Sequence, residues 1–157
     1  MQILFTVKYV LAACLMFMIT GLLSGQEQPR SFDVYYAKAL AAEKQENYAE
    51  GIDILTQALN ENPQPYYYIK RGDLFYARGR YTNALADYRE AQNFDEDYAL
   101  LQTAQCHARL GNIDALIDTM ELYLKQRNKL PLTEIKTRPA FAAVSENKQW
   151  VKLINEK

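Results

Sequence analysis

RGDLFYARGRYTNALADYREA, residues 71–91, alternates small and aromatic side chains: Gly72, Ala84 and Ala91 among Phe75, Tyr76, Tyr81 and Tyr88. It holds no serine, cysteine or histidine, so packing rather than reaction chemistry governs its composition. Two amphipathic stretches flank Gly79-Arg80-Tyr81, and their helical spacing of apolar residues predicts a helix, a tight turn and a second helix.

Outward from this stretch the pattern recurs. Glu46-Asn47-Tyr48 lies 33 residues before Gly79-Arg80-Tyr81, and Gly111-Asn112-Ile113 lies 32 after it. Three segments therefore stack in register, Val34–Pro63, Tyr67–Glu96 and Ala99–Gln126, and a repeat of this period points to a solenoid of helix pairs. Ala39, Gly72 and Ala104 fall midway along the first helix of each unit. Gly51 and Ala84, then Ala58 and Ala91, lie along the second helix of units one and two. Helices approach to about 8–10 Å where contact residues are small, which leaves Tyr35, Tyr68 and Leu100, with Leu55, Tyr88 and Met120, to fill the gaps between pairs.

These residues resemble the tetratricopeptide repeat, a helix-turn-helix of roughly 34 residues. Unit two carries the pattern most fully, as Tyr68, Arg71-Gly72, Phe75, Gly79, Tyr81, Ala84, Tyr88 and Ala91, with Glu96 where the family has proline. Unit one has Tyr35, Ala39, Tyr48, Gly51, Leu55, Ala58 and Pro63. Unit three keeps Leu100, Ala104, His107 and Gly111 but places Leu116 and Tyr123 where small residues are usual. The resemblance implies an all-α fold with repeats over 32–63, 65–96 and 98–127, the last being atypical as terminal repeats are.

The remaining segments frame the repeats. Residues 1–25 carry one basic residue, Lys8, then an uncharged run from Tyr9 to Gly25. That pattern predicts a secretory signal cut after Ser24-Gly25, with 26–31 a linker. Two alternatives share the segment. One is an uncleaved anchor, although the run is 17 residues where about 20 span a bilayer core. The other is lipidation at Cys14 within Leu11–Cys14, against which the next ten residues stay apolar. The location expected is thus exported, periplasmic or secreted, or membrane-anchored through residues 9–25. At the other end, Pro131 opens a short helix to about Thr137 and Pro139 starts another segment. Ser145 is a candidate cap for a last helix bearing Trp150, Leu153 and Ile154. Phe141, Val144, Trp150 and Leu153 suit residues 128–157 to cap the stack, or alternatively to bind a partner through Trp150.

Composition narrows the function. The chain has 157 residues, 24% charged, with 18 basic and 19 acidic side chains, so no basic excess exists to engage nucleic acid. Beyond the signal Cys106 is the one cysteine, which excludes a disulfide framework. Cys106 and His107 are neighbours that point roughly 100° apart on a helix, and no third group orients them. His107 also takes the packing place of Phe75. Asp95, Glu96 and Asp97 lack the glycine and bidentate glutamate of a calcium loop. No metal, cofactor or catalytic residue is therefore expected.

The resemblance instead implies a groove lined by the first helices. It would comprise Tyr36, Leu40 and Lys44 from unit one, Tyr66, Ile69, Lys70, Asp73 and Tyr76 from unit two, and Tyr98, Leu101, Gln102, Gln105 and Arg109 from unit three. Family members that clamp a C-terminal carboxylate use lysine and asparagine where this chain has Tyr36 and Leu40. The partner expected is another protein or peptide of the cell envelope, with self-association through the solenoid or the tail as the alternative.

Overall fold

The computed structural model describes residues 31–155. The expected signal, with Cys14, and residues 26–30 of the linker lie outside them. No described helix is long and apolar enough to cross a membrane.

Three helix pairs follow one another: α1 (Ser31–Lys44) with α2 (Tyr48–Glu61), α3 (Pro65–Ala77) with α4 (Tyr81–Gln92), and α5 (Leu100–Leu110) with α6 (Ile113–Lys125). A short α7 (Leu132–Thr137), a 3-10 segment (Pro139–Val144) and α8 (Lys148–Asn155) complete the described chain. The architecture is an all-α solenoid of helix-turn-helix units, with no strand among the described residues. From Tyr35 on, the chain forms one compact unit.

The turn inside each pair has one construction, used three times. Glu46, Gly79 and Gly111 take left-handed backbone conformations, with φ of 58°, 71° and 74°. Each donates its N–H three residues back, to the carbonyls of Glu43, Tyr76 and Ala108. The next residue donates five back: Asn47 to Ala42, Arg80 to Phe75 and Asn112 to His107. This paired arrangement satisfies the carbonyls orphaned at a helix end, and the left-handed residue is usually glycine because a Cβ crowds the backbone there. Asn47, Arg80 and Asn112 then accept the first bond of the following helix, from Gly51, Ala84 and Leu116. One residue thus ends one helix and starts the next.

Adjacent helices interlock through glycines. A Cβ on Gly72 of α3 would lie 2.6 Å from Cε1 of Tyr88 on α4, and one on Gly51 of α2 would lie 2.7 Å from Cδ1 of Leu74 on α3. The first contact closes a pair and the second joins pair one to pair two. Tyr67 and Leu74 are fully buried at these joints, whereas Tyr35 and Tyr68, expected to fill the gaps, are only half-buried. The chain enters α3 with Tyr67 facing inward, which turns Tyr68 toward Phe94, 6.3 Å away centroid to centroid.

Arg71 ties the same joint electrostatically. Its Nε and Nη2 donate to Asp87 Oδ2 and Oδ1 at 2.9 and 2.7 Å, and its Nη1 donates to Thr56 Oγ1 at 3.0 Å. One guanidinium therefore holds α2, α3 and α4. The hydrogen bond to Asp87 raises the Arg71 pKa above its ordinary value, against the lowering effect of burial.

Beyond the third pair the core continues into the tail. Leu116, Met120, Tyr123 and Leu124 of α6 share a buried cluster with Ile135, Phe141, Val144, Trp150, Leu153 and Ile154. Phe141 and Trp150 stack at 4.7 Å, and Tyr123 Oη accepts the Leu130 N–H at 2.7 Å. The large Leu116 and Tyr123 thus face the tail rather than a fourth pair. Asn147, not Ser145, caps α8: its Oδ1 accepts from the Gln149 and Trp150 N–H groups. Ser145 instead returns its Oγ hydrogen to the Ala142 carbonyl, because it is the residue that closes the 3-10 segment ending at Val144.

Two substitutions separate crowding from backbone strain. Gly72→Ala drives a methyl into a tyrosine ring that Asp73 holds in place, and should cost about 1–3 kcal/mol despite alanine's better helix propensity. Gly79→Ala meets no atom within 4 Å but must adopt a left-handed conformation, costing roughly 1 kcal/mol. Asp87→Ala leaves the half-buried Arg71 without its carboxylate, a loss of about 3 kcal/mol. Urea midpoints with m-values check all three; a Gly72→Ala protein as stable as the native one would contradict the interlock.

Candidate functional site

The face built by the first helices begins in their sequence spacing. On α3, Tyr66, Ile69, Lys70, Asp73 and Tyr76 follow one another by three and four residues, which places them on one side of the helix. Tyr36 and Leu40 of α1 repeat that spacing, as do Leu101, Gln102, Gln105 and Arg109 of α5.

The structure brings several of them together. The rings of Tyr36 and Tyr66 meet edge to face at 5.9 Å, and Tyr66 lies 4.5 Å from the buried Tyr67 ring. Lys70 Nζ pairs with Glu43 Oε2 of α1 at 2.5 Å, the lysine side chain being 12% exposed. Asp73 accepts a hydrogen bond at 2.9 Å from Tyr88 Oη, which reaches across from α4. Burial raises the Asp73 pKa, partly offset by that bond and by Lys70. The Tyr88 hydroxyl is itself pushed up, by burial first and by the Asp73 charge second. At the far end of α3, Tyr76 packs edge-on to Tyr81 at 5.1 Å, and its hydroxyl accepts a long, 3.4 Å bond from Arg109 Nε.

Other expected positions sit differently. Leu101 packs against the buried cluster shared by α5, α6 and the tail, so its side chain is taken up by the C-terminal core. Tyr98 is not on α5 at all: it lies in the turn before it, 39% exposed. Helix α5 begins only after the left-handed Ala99, so Tyr98 precedes the first helix of unit three, from which the resemblance draws groove residues. Leu40, Ile69, Gln102 and Gln105 are half-buried and Lys44 is exposed.

Two residues of this face were absent from the sequence expectation. Glu43 stands three after Leu40, a spacing that does signal the same side of α1. Tyr88 carries no such signal, because it belongs to a second helix.

Cys106 and His107 are buried, at 0% and 4% exposure. Burial, then the Asp73 charge, pushes the Cys106 thiol up to about 12, so the thiolate that would act as nucleophile or ligand does not form near neutrality. Cys106 packs with Ala84, Leu85 and Tyr88. Among the described residues no group of three or more histidine, cysteine, aspartate or glutamate side chains could hold a metal ion.

The described helix pairs stack and present an aromatic face on their first helices. Residues 36–99 match the model of the tetratricopeptide repeat family. The match runs from within α1 to the residue before α5 and so covers the first two pairs. No curated protein matches the chain. Repeats of this family generally mediate protein–protein interaction, and the fold is typically non-catalytic.

His107 supplies a pH test of this packing. Burial lowers its pKa below the ordinary value, the Arg89 charge acts in the same direction, and its buried Nδ1 has no hydrogen-bond partner. The unfolded chain therefore binds more protons than the folded one once the pH drops below about 6.5, and stability falls on acidification. Asp73, with its raised pKa, works the other way but is shared by native and variant proteins. His107→Phe should accordingly lose less stability than the native chain between about pH 7 and about pH 5, as measured by thermal midpoints across that range.

Proposed function

We propose that the protein is a non-catalytic adaptor of the cell envelope, exported through residues 1–25, that holds a peptide segment of a partner on its first-helix face. The observation that carries this proposal is the continuity of Tyr36, Tyr66, Lys70, Asp73, Tyr76 and Arg109 from α1 across α3 to α5, joined by the ring and polar contacts described above. Rigid aromatic side chains combine apolar area with low entropy cost, and they concentrate binding energy at protein interfaces. Lys70 is paired with Glu43 and Asp73 accepts from Tyr88, so the ligand meets a surface that is already partly organised.

The test is photocrosslinking in cells, with a photoreactive residue at Tyr76 and a control at the exposed Ala86 of α4. One dominant envelope protein captured from Tyr76 and not from Ala86 is the expected result. Lys70→Ala combined with Tyr76→Ala should weaken binding of that partner by at least about tenfold while the helical circular dichroism is unchanged. Unaltered binding by the double variant would remove the groove from the proposal. N-terminal sequencing of the cell-envelope fraction tests export independently, the expected start being Gln26.

A further inference from the structure

A second surface lies apart from the aromatic face of α3, between the turn that precedes α5 and the C-terminal half of α6. Leu122 is 52% exposed there, among the most exposed of the large apolar side chains described. Leu122 borders a cleft of about 280 Å³ whose walls include Glu96, Asp97, Leu100, Lys125 and Gln126. The cleft is held open by its own bonds. Gln126 Nε2 donates to the Asp97 carbonyl at 2.9 Å, linking turn to helix, and the Asp97 N–H donates to Asp95 Oδ1 at 3.0 Å, fixing the turn.

The charges around this apolar opening are unequal. Asp95, Glu96 and Asp97 are exposed on the turn, and Asp118 is exposed one helical turn before Leu122 on α6. Glu121, beside Leu122, is a further exposed acid, and Lys125, Arg127 and Lys129, whose Nζ donates to the Leu124 carbonyl, are the nearby bases. Acids thus outnumber bases, and no salt bridge described in the structure engages any of them. Two copies meeting through this surface would oppose like charge to like, which is costly. The complement is a segment with an apolar anchor flanked by lysine or arginine.

We propose that this cleft docks a basic amphipathic segment of a partner protein, with its apolar side chain against Leu122 and its cations against Glu96, Asp97 and Asp118. The acidic turn then gives the protein a second, electrostatically selected contact, independent of the aromatic face. Charge matching of this kind sets on-rate and partner choice and weakens with salt.

The test uses the purified protein and two labelled probes, an amphipathic leucine–lysine peptide and its leucine–glutamate counterpart, followed by fluorescence anisotropy. The leucine–lysine peptide should bind, with an affinity that drops as salt is raised, and the leucine–glutamate peptide should not. Leu122→Asp should weaken binding by about tenfold or more. Glu96→Lys with Asp97→Lys should reverse the preference between peptides; Asp95 is left in place because it holds the turn. Lys70→Ala with Tyr76→Ala should bind the peptide as the native protein does, which keeps this test separate from that of the groove. Equal binding of both peptides, binding of neither, or indifference to both the Leu122 and the turn variants would overturn the proposal. So would a native protein that sediments as a dimer and is split by Leu122→Asp, since the occupant would then be a second copy.

Discussion

The fold depends on backbones approaching where a side chain does not fit. At Gly72 the ring of Tyr88 occupies the volume a Cβ would need, and at Gly51 the tip of Leu74 does the same. Close approach lets dispersion contacts accumulate along the helix pair, which no single apolar contact could match. It also explains why neither pair is self-sufficient. Leu74 belongs to α3 but its cavity is on α2, so the apolar surface of each unit is completed by the next. Arg71 reinforces the same joint, since its guanidinium satisfies Asp87 and Thr56 at once. A charge placed there without both partners would be a liability, and with them it fixes the register of three helices.

The third pair solves the end of the stack by other means. With no fourth pair to receive it, α6 carries Leu116, Met120 and Tyr123 inward, and the tail supplies Phe141, Val144, Trp150 and Leu153 as their complement. The terminal unit departs from the small-residue pattern because its neighbour is a loosely periodic tail of short helices with large side chains. Family likeness weakens at the same place: the matched residues end at 99, just before α5.

Much of this was legible from residue spacing, and the exceptions have local causes. The recurrence at 33 and 32 residues located all three turns, including the one where Glu46 takes the left-handed conformation that Gly79 and Gly111 adopt at less cost. The hydrogen-bond frame of the turn, shared by all three, holds Glu46 there. Tyr67 and Leu74 escaped notice because adjacent aromatic and apolar residues, Tyr66-Tyr67-Tyr68 and Leu74-Phe75-Tyr76, make the inward one ambiguous by a single position. Asn147 and Ser145 are both good caps, and only the extent of the 3-10 segment decides between them. Tyr98 was carried over by the resemblance, and it precedes the helix that begins after Ala99.

The candidate face was partly legible for a deeper reason. The resemblance picked out Tyr66, Lys70, Asp73 and Tyr76 as groove residues, and helical spacing is consistent with their sharing one side of α3. It does not show that Lys70 meets Glu43, 27 residues away, or that Asp73 is satisfied by Tyr88 of another helix. Those pairings decide how the face behaves. A lysine and an aspartate free in a groove would select a charged ligand, whereas here Lys70 and Asp73 are bound to Glu43 and Tyr88 and contribute position. Where charges lack such partners, as on the turn before α5, selectivity passes back to electrostatics. The two surfaces therefore differ in kind as well as in place: on the first, Lys70 and Asp73 are engaged by Glu43 and Tyr88, whereas the acids of the turn pair with no cation among the described residues.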